Sequence, residues 1–149
     1  MRTSEYYELS FDKFNLKVPK GYWFAGYDTW AKIEESHAFV GITDFLQTKM
    51  GDIALFEPSD SPILEQDDIL GTVESIKATI DMTMHVSGRV VEYNPRLKEH
   101  PEVISEDPYG DGWIVKVELS DWEADRTMLL PADKYFELMQ EKVKNELAD

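Results

Sequence analysis

Short stretches in which apolar and polar side chains alternate, broken at brief intervals by turn-forming residues, restrict this chain to a β-rich fold. The clearest stretch sets Ile80, Met82, Met84 and Val86 against Asp81, Thr83 and His85. A period of two sends these sets to opposite faces of a half-buried strand. Trp113, Val115, Val117 and Leu119 alternate with Ile114, Lys116 and Glu118 in the same way. Residues 30–33, 38–42, 52–57, 69–74 and 89–93 are further strand candidates, with Tyr22-Trp23-Phe24 as an early packing segment. Strands this short bury one face each and need a second layer, which predicts a β-sandwich or barrel.

Helices are expected at fewer places. Thr43 can cap a helix, Asp44 suits its positive N-terminal end, and Gly51 can close it. Residues 121–129 read as a short helix, and residues 95–112 as a long connection with one helical turn near 97–100. From Pro131 onward, Tyr135, Leu138, Met139, Val143 and Leu147 recur at helical spacing, predicting a C-terminal helix over 131–149 whose apolar stripe docks on the sheets. Residues 58–68 read as an acidic loop. Residues 1–20 read as a polar and aromatic N-terminal extension ending in the turn Val18-Pro19-Lys20-Gly21. The whole, 1–149, fits one domain.

Composition narrows the function. The formal charge of −15 would repel a phosphate backbone, so nucleic acid is not an expected partner. No apolar run has the length of a membrane span, and the first residues lack the apolar core of a signal peptide, so a cytoplasmic protein away from membranes is expected. There are no cysteines. Thiolate metal sites and cysteine nucleophiles are thereby excluded, and any thiol chemistry must come from an attached group. His37, His85 and His100 are far apart without metal-ligand spacing, and each is expected at the surface or on an edge strand. The acidic residues Glu106, Asp107 and Asp111 do not follow a calcium-loop pattern and are expected to shape a turn against Trp113. Glu34-Glu35 and Asp67-Asp68 read as solvated charge, and no nucleophile-elbow or phosphate-loop motif occurs.

Ser75-Ile76-Lys77-Ala78 falls between two predicted strands, as a hairpin turn. A lysine at such a tip projects from the sheet with little around it, which suits enzymatic acylation of its amine and free movement of the attached group. Acylation would also remove its charge and any hold of Glu74 upon it.

Here the sequence resembles a known family. Glu74-Ser75-Ile76-Lys77-Ala78 is similar to the lipoylation motif of the glycine cleavage system H protein, in which Glu-Ser-x-Lys-Ala surrounds the modified lysine. Other segments agree in order: Val40-Gly41-Ile42-Thr43-Asp44, Gly51-Asp52-Ile53, Val86-Ser87-Gly88, Glu106-Asp107-Pro108-Tyr109-Gly110, Gly112-Trp113 and Leu119-Ser120-Asp121. The resemblance covers roughly residues 21–140. It implies a lipoyl/biotinyl-type barrel-sandwich hybrid with short helices and a C-terminal amphipathic helix. It implies lipoic acid attached covalently to Lys77, with Glu74, Ser75 and Ala78 as the attachment motif. The protein would be a carrier and not an enzyme, shuttling an aminomethyl group. Its partners would be a lipoylating enzyme, glycine decarboxylase, aminomethyltransferase and dihydrolipoamide dehydrogenase, which a monomer would visit in turn.

The sequence departs from the family in places. Asp28-Thr29-Trp30 stands where the family has His-Glu-Trp, and Thr29 lacks the charge of that glutamate, which is thought to help hold the aminomethyl group. Residues 81–86 replace a smaller, proline-containing string, and the N-terminal extension is longer than usual. Such departures also suit an H-like lipoate-binding protein carrying sulfur to a heterodisulfide-reductase-like complex. An unlipoylated binding module is a third reading.

Overall fold

The computed structural model describes residues 5–147. Residues 1–4 of the predicted extension and 148–149 of the predicted terminal helix lie outside the described residues. In chain order the strands are β1 (Tyr6–Phe11), β2 (Phe14–Pro19), β3 (Trp23–Phe24), β4 (Thr29–Glu34), β5 (His37–Ile42), β6 (Ile53–Pro58), β7 (Ile63–Leu64), β8 (Ile69–Ser75), β9 (Thr79–Thr83), β10 (Gly88–Tyr93), β11 (Val115–Leu119) and β12 (Leu130–Pro131). The α-helices are α1 (Asp44–Met50), α2 (Val103–Glu106), α3 (Trp122–Asp125) and α4 (Ala132–Lys142).

Seven strands form one sheet in the order β12-β3-β4-β5-β11-β10-β7, and three form a second in the order β6-β8-β9. Every pairing is antiparallel. The alternation read from the sequence is the reason the two sheets face each other. Val40, Ile42, Leu70, Val73, Met82, Val115 and Val117 turn inward and form one buried cluster with Met84, Val86 and Ile114. This matches the β-rich, two-layered expectation.

A second cluster lies on the other face of the large sheet. Phe24 and Trp30 meet Tyr135, Met139 and Val143, together with Leu16 and Val18. The predicted stripe of the terminal helix thus docks on the body. Each fully buried side chain of this kind stabilises the fold by roughly 1.5–3 kcal/mol. Beyond Lys142 the chain continues as a π-helical turn, Val143–Leu147.

The N-terminal extension, to which the sequence reading assigns no strands, forms a hairpin: β1 and β2 pair from Tyr6↔Pro19 to Phe11↔Phe14, with Tyr7 stacked on Phe136 of α4 at 5.4 Å. Two expectations need correction. The acidic loop 58–68 contributes β7, which pairs with β10. The strand expected to run through Val86 ends at Thr83, because the next backbone groups bond elsewhere. Met84 donates its N–H to the Asp68 carbonyl, and its own carbonyl accepts from Asp67 N–H and from Tyr27 Oη at 3.0 Å.

Candidate functional site

The β8–β9 hairpin is shaped by one serine. Ser75 Oγ accepts from the N–H groups of Lys77 (3.2 Å) and Ala78 (3.1 Å), and Ser75 N–H donates to the Ala78 carbonyl at 2.8 Å. Ser75 Oγ also lies 3.2 Å from that carbonyl. A hydroxyl that bridges two successive backbone donors mimics an extra turn of backbone and rigidifies the bend. Ser75 and Ala78 are half-buried at the base, whereas Glu74, Ile76 and Lys77 are exposed. Residues 74, 75, 77 and 78 therefore divide into a rigid base and a projecting lysine.

Among the described residues no hydrogen bond or ion pair holds the Lys77 ammonium, and Glu74 does not pair with it. Its stem passes over Gly51: a methyl built there would meet Lys77 Cε at 3.6 Å and Cδ at 3.7 Å. Gly51 closes α1 with φ +81°, a conformation glycine adopts without strain, and donates its N–H to the Gln47 carbonyl. At the other end of α1, Thr43 Oγ1 accepts from Leu46 N–H at 3.3 Å, as its residue type predicts. So α1 carries both caps read from the sequence, and its end forms the floor beneath the Lys77 stem.

The setting fits a covalently attached acid. A primary amine stands in solvent, the bend behind it is fixed, and no charged partner must be displaced. Most other lysines among the described residues are engaged. Lys13, Lys17, Lys20 and Lys116 lie over aromatic rings. Lys32, Lys49, Lys134, Lys142 and Lys144 face carboxylates. Lys98 stands in the 3-10 turn Pro95–Lys98, not at a tip between paired strands.

The departures at Thr29 and His85, separate in the sequence, are a contact in the fold. His85 was expected at the surface or on an edge strand, but it lies beyond the end of β9 and is buried, 1% exposed, and Thr29 is 2% exposed. Thr29 Oγ1 lies 3.0 Å from His85 Nδ1, and His85 Nε2 lies 3.4 Å from the Trp23 carbonyl. A carbonyl only accepts, so Nε2 carries the hydrogen and Nδ1 accepts from the threonine hydroxyl. Burial lowers the His85 pKa to about 4, against a weaker opposing effect of the Trp23 carbonyl.

Beside this pair is a network that sequence reading missed. Asp28, at φ +74°, accepts from Tyr135 Oη at 2.7 Å and from Lys142 Nζ at 2.8 Å. Tyr135 Oη also lies 2.9 Å from Thr43 Oγ1. Burial raises the Asp28 pKa, and the Lys142 and Tyr135 hydrogen bonds work against that rise. Burial, then the Asp28 charge, push the Tyr135 phenol well up. The network fastens α4 to the turn before β4. Its one sequence signal was the pair of polar residues, Tyr135 and Lys142, on a helix read for its apolar stripe.

The remaining candidates stay apart. His37 and His100 bond to their neighbours Ser36 and Glu102, and among the described residues no three metal-ligating side chains come together. Asp107 accepts from Asp111 N–H at 2.8 Å and shapes the turn before Trp113, which packs on Phe39 at 5.1 Å. No helix among the described residues is long and apolar enough to cross a membrane.

Residues 22–142 match the family model described as glycine cleavage H-protein. The chain is 40% identical over 126 residues to the glycine cleavage system H protein of Carboxydothermus hydrogenoformans, a match covering 84% of this chain and 96% of that protein. It is 37% identical over 121 residues to the protein of the same name from Bacteroides fragilis, covering 80% and 95%. The fold is similar to the crystal structure of a glycine cleavage system H protein from Mycobacterium marinum, with a TM-score of 0.71, 26% identity, and coverage of 80% of this chain and 97% of the other.

Proposed function

Because the chain belongs to the glycine cleavage H-protein family, we propose that Lys77 is the lysine that bears its lipoyl group. Membership makes the protein a lipoyl carrier of the glycine cleavage system, with the group covalently attached to a lysine. The matches favour this role over the sulfur-carrying alternative. The observation that supports the choice of Lys77 is its ammonium: exposed, unpaired among the described residues, and set on a bend fixed by Ser75.

The residues divide the work. Ser75 and the Ala78 backbone hold the bend, Gly51 ends α1 beneath the stem, and Lys77 supplies the amine. Attached as an amide, a lipoyl group supplies disulfide–dithiol chemistry that this cysteine-free chain cannot provide. The amide has no charge, so Glu74, nearby in sequence, cannot tether the arm by an ion pair. The family implies partnership with the enzymes of glycine cleavage. As individual partners we assign glycine decarboxylase, aminomethyltransferase and dihydrolipoamide dehydrogenase, with a separate lipoylating enzyme, and the cytoplasm as the compartment.

Intact mass tests the attachment. Protein co-expressed with lipoylation machinery should gain one lipoyl amide, and Lys77→Arg should abolish the gain. A gain that persists in Lys77→Arg, or no gain in the unaltered chain, overturns the assignment.

A further inference from the structure

We propose that Ile76, supported by Leu55, is the apolar anchor by which the enzyme that acylates Lys77 grips this hairpin, and that this enzyme meets it with a basic rim. The inference rests on Lys77 being the attachment lysine. Ile76 is 87% exposed and Leu55 41% exposed. The bend is made by Ser75 Oγ and backbone groups, so the Ile76 side chain does nothing to hold it. A branched apolar side chain held in water at a rigid tip gains by being covered. It directly precedes Lys77, so an active site that reaches the amine must also receive Ile76.

The solvent face behind the tip sets the sign of the partner. Cross-strand rows on the small sheet read Leu55–Glu74–Thr79 and Glu57–Thr72–Asp81. Glu57, Glu74, Thr79 and Asp81 are exposed, and β6, β8 and β9 contain no lysine or arginine. Lys49, close in sequence to the Gly51 floor, is neutralised by Glu146. An apolar tip on an acidic face fits an apolar recess rimmed by lysine and arginine. The step served is acyl transfer. The neutral Lys77 amine attacks the acyl carbon of an acyl adenylate, the C–N bond forms, the bond to AMP breaks, and the amine proton passes to solvent.

The test uses the purified full chain with a lipoate–protein ligase, lipoate and ATP, following amide formation by intact mass at low and high salt. Ile76→Ser should raise KM for the chain about tenfold with kcat little changed, and Ile76→Val should restore it. Leu55→Ser should act in the same direction more weakly. Glu57→Lys should raise KM and flatten the salt dependence, whereas Glu137→Lys, exposed on α4, should match the unaltered chain. An unchanged KM in Ile76→Ser, or a loss confined to kcat, overturns the inference while leaving Lys77 as the acylated residue. Failure of the unaltered chain to be acylated overturns the attachment reading, and this inference with it.

Discussion

His85 links stability to pH. Its folded pKa, about 4, lies below the ordinary 6.5, so the unfolded chain binds the proton more readily. The stabilisation is complete above pH 6.5 and is lost as pH falls from there toward 4. The loss should be about 2 kcal/mol at pH 5 and approach about 3 kcal/mol at lower pH. Asp28 acts in the opposite sense, since a carboxyl raised by folding favours the native state as pH falls. Comparison with His85→Asn isolates the histidine: urea midpoints at pH 7 and pH 5 should converge in the variant relative to the unaltered chain. An equal drop in both would remove His85 from the account. Tyr135→Phe should cost about 1–2 kcal/mol, because Asp28 loses a buried donor and the Thr43 hydroxyl loses its phenol partner. Of these residues the sequence disclosed only the chemistry. Alternation placed His85 on the polar face of a strand. That strand ends two residues earlier, because Met84 bonds to Tyr27 and to the 67–68 loop. Contacts across so many residues leave no local signal.

The elements divide into those that local rules specify and those that tertiary contacts specify. The β8–β9 hairpin, α1 with Thr43 and Gly51 at its ends, and the docked stripe of α4 were legible because period, cap and turn chemistry agree within each segment. The β1–β2 hairpin was not. Its tip residue Asp12 sits at φ +54°, and its inner side chains meet α1 and, from the far end of the chain, α4. Lys17 N–H donates to Asp44 Oδ2 at 2.9 Å, and the Lys17 carbonyl accepts from Tyr109 Oη. The hairpin also lies before residue 22, where the family match begins. Its role is to cover α4, so Leu16→Ala, at a position 1% exposed, should cost about 2–5 kcal/mol in denaturant unfolding. The rate of Lys77 acylation in the folded variant should be unchanged. A matching fall in acylation would show that the hairpin takes part in presentation.

At the scale of the molecule, two sheets and a docked helix act as a rigid mount for one bend. The mount leaves the Lys77 amine in water, carries no thiol of its own, and presents an acidic surface with a net charge of −15. Such a surface steers the carrier toward basic partner sites, with a rate that falls as salt rises. The composition revealed this field directly, and the motif order revealed the family. What the chain hands over was left open by Thr29, whose hydroxyl is committed to His85. The most direct measurement is the exchange of the glycine carboxyl carbon with bicarbonate by glycine decarboxylase. Lipoylated protein should stimulate the exchange, and Lys77→Arg taken through the same lipoylation should not. Equal exchange with both proteins, or none with the lipoylated chain, would contradict the account.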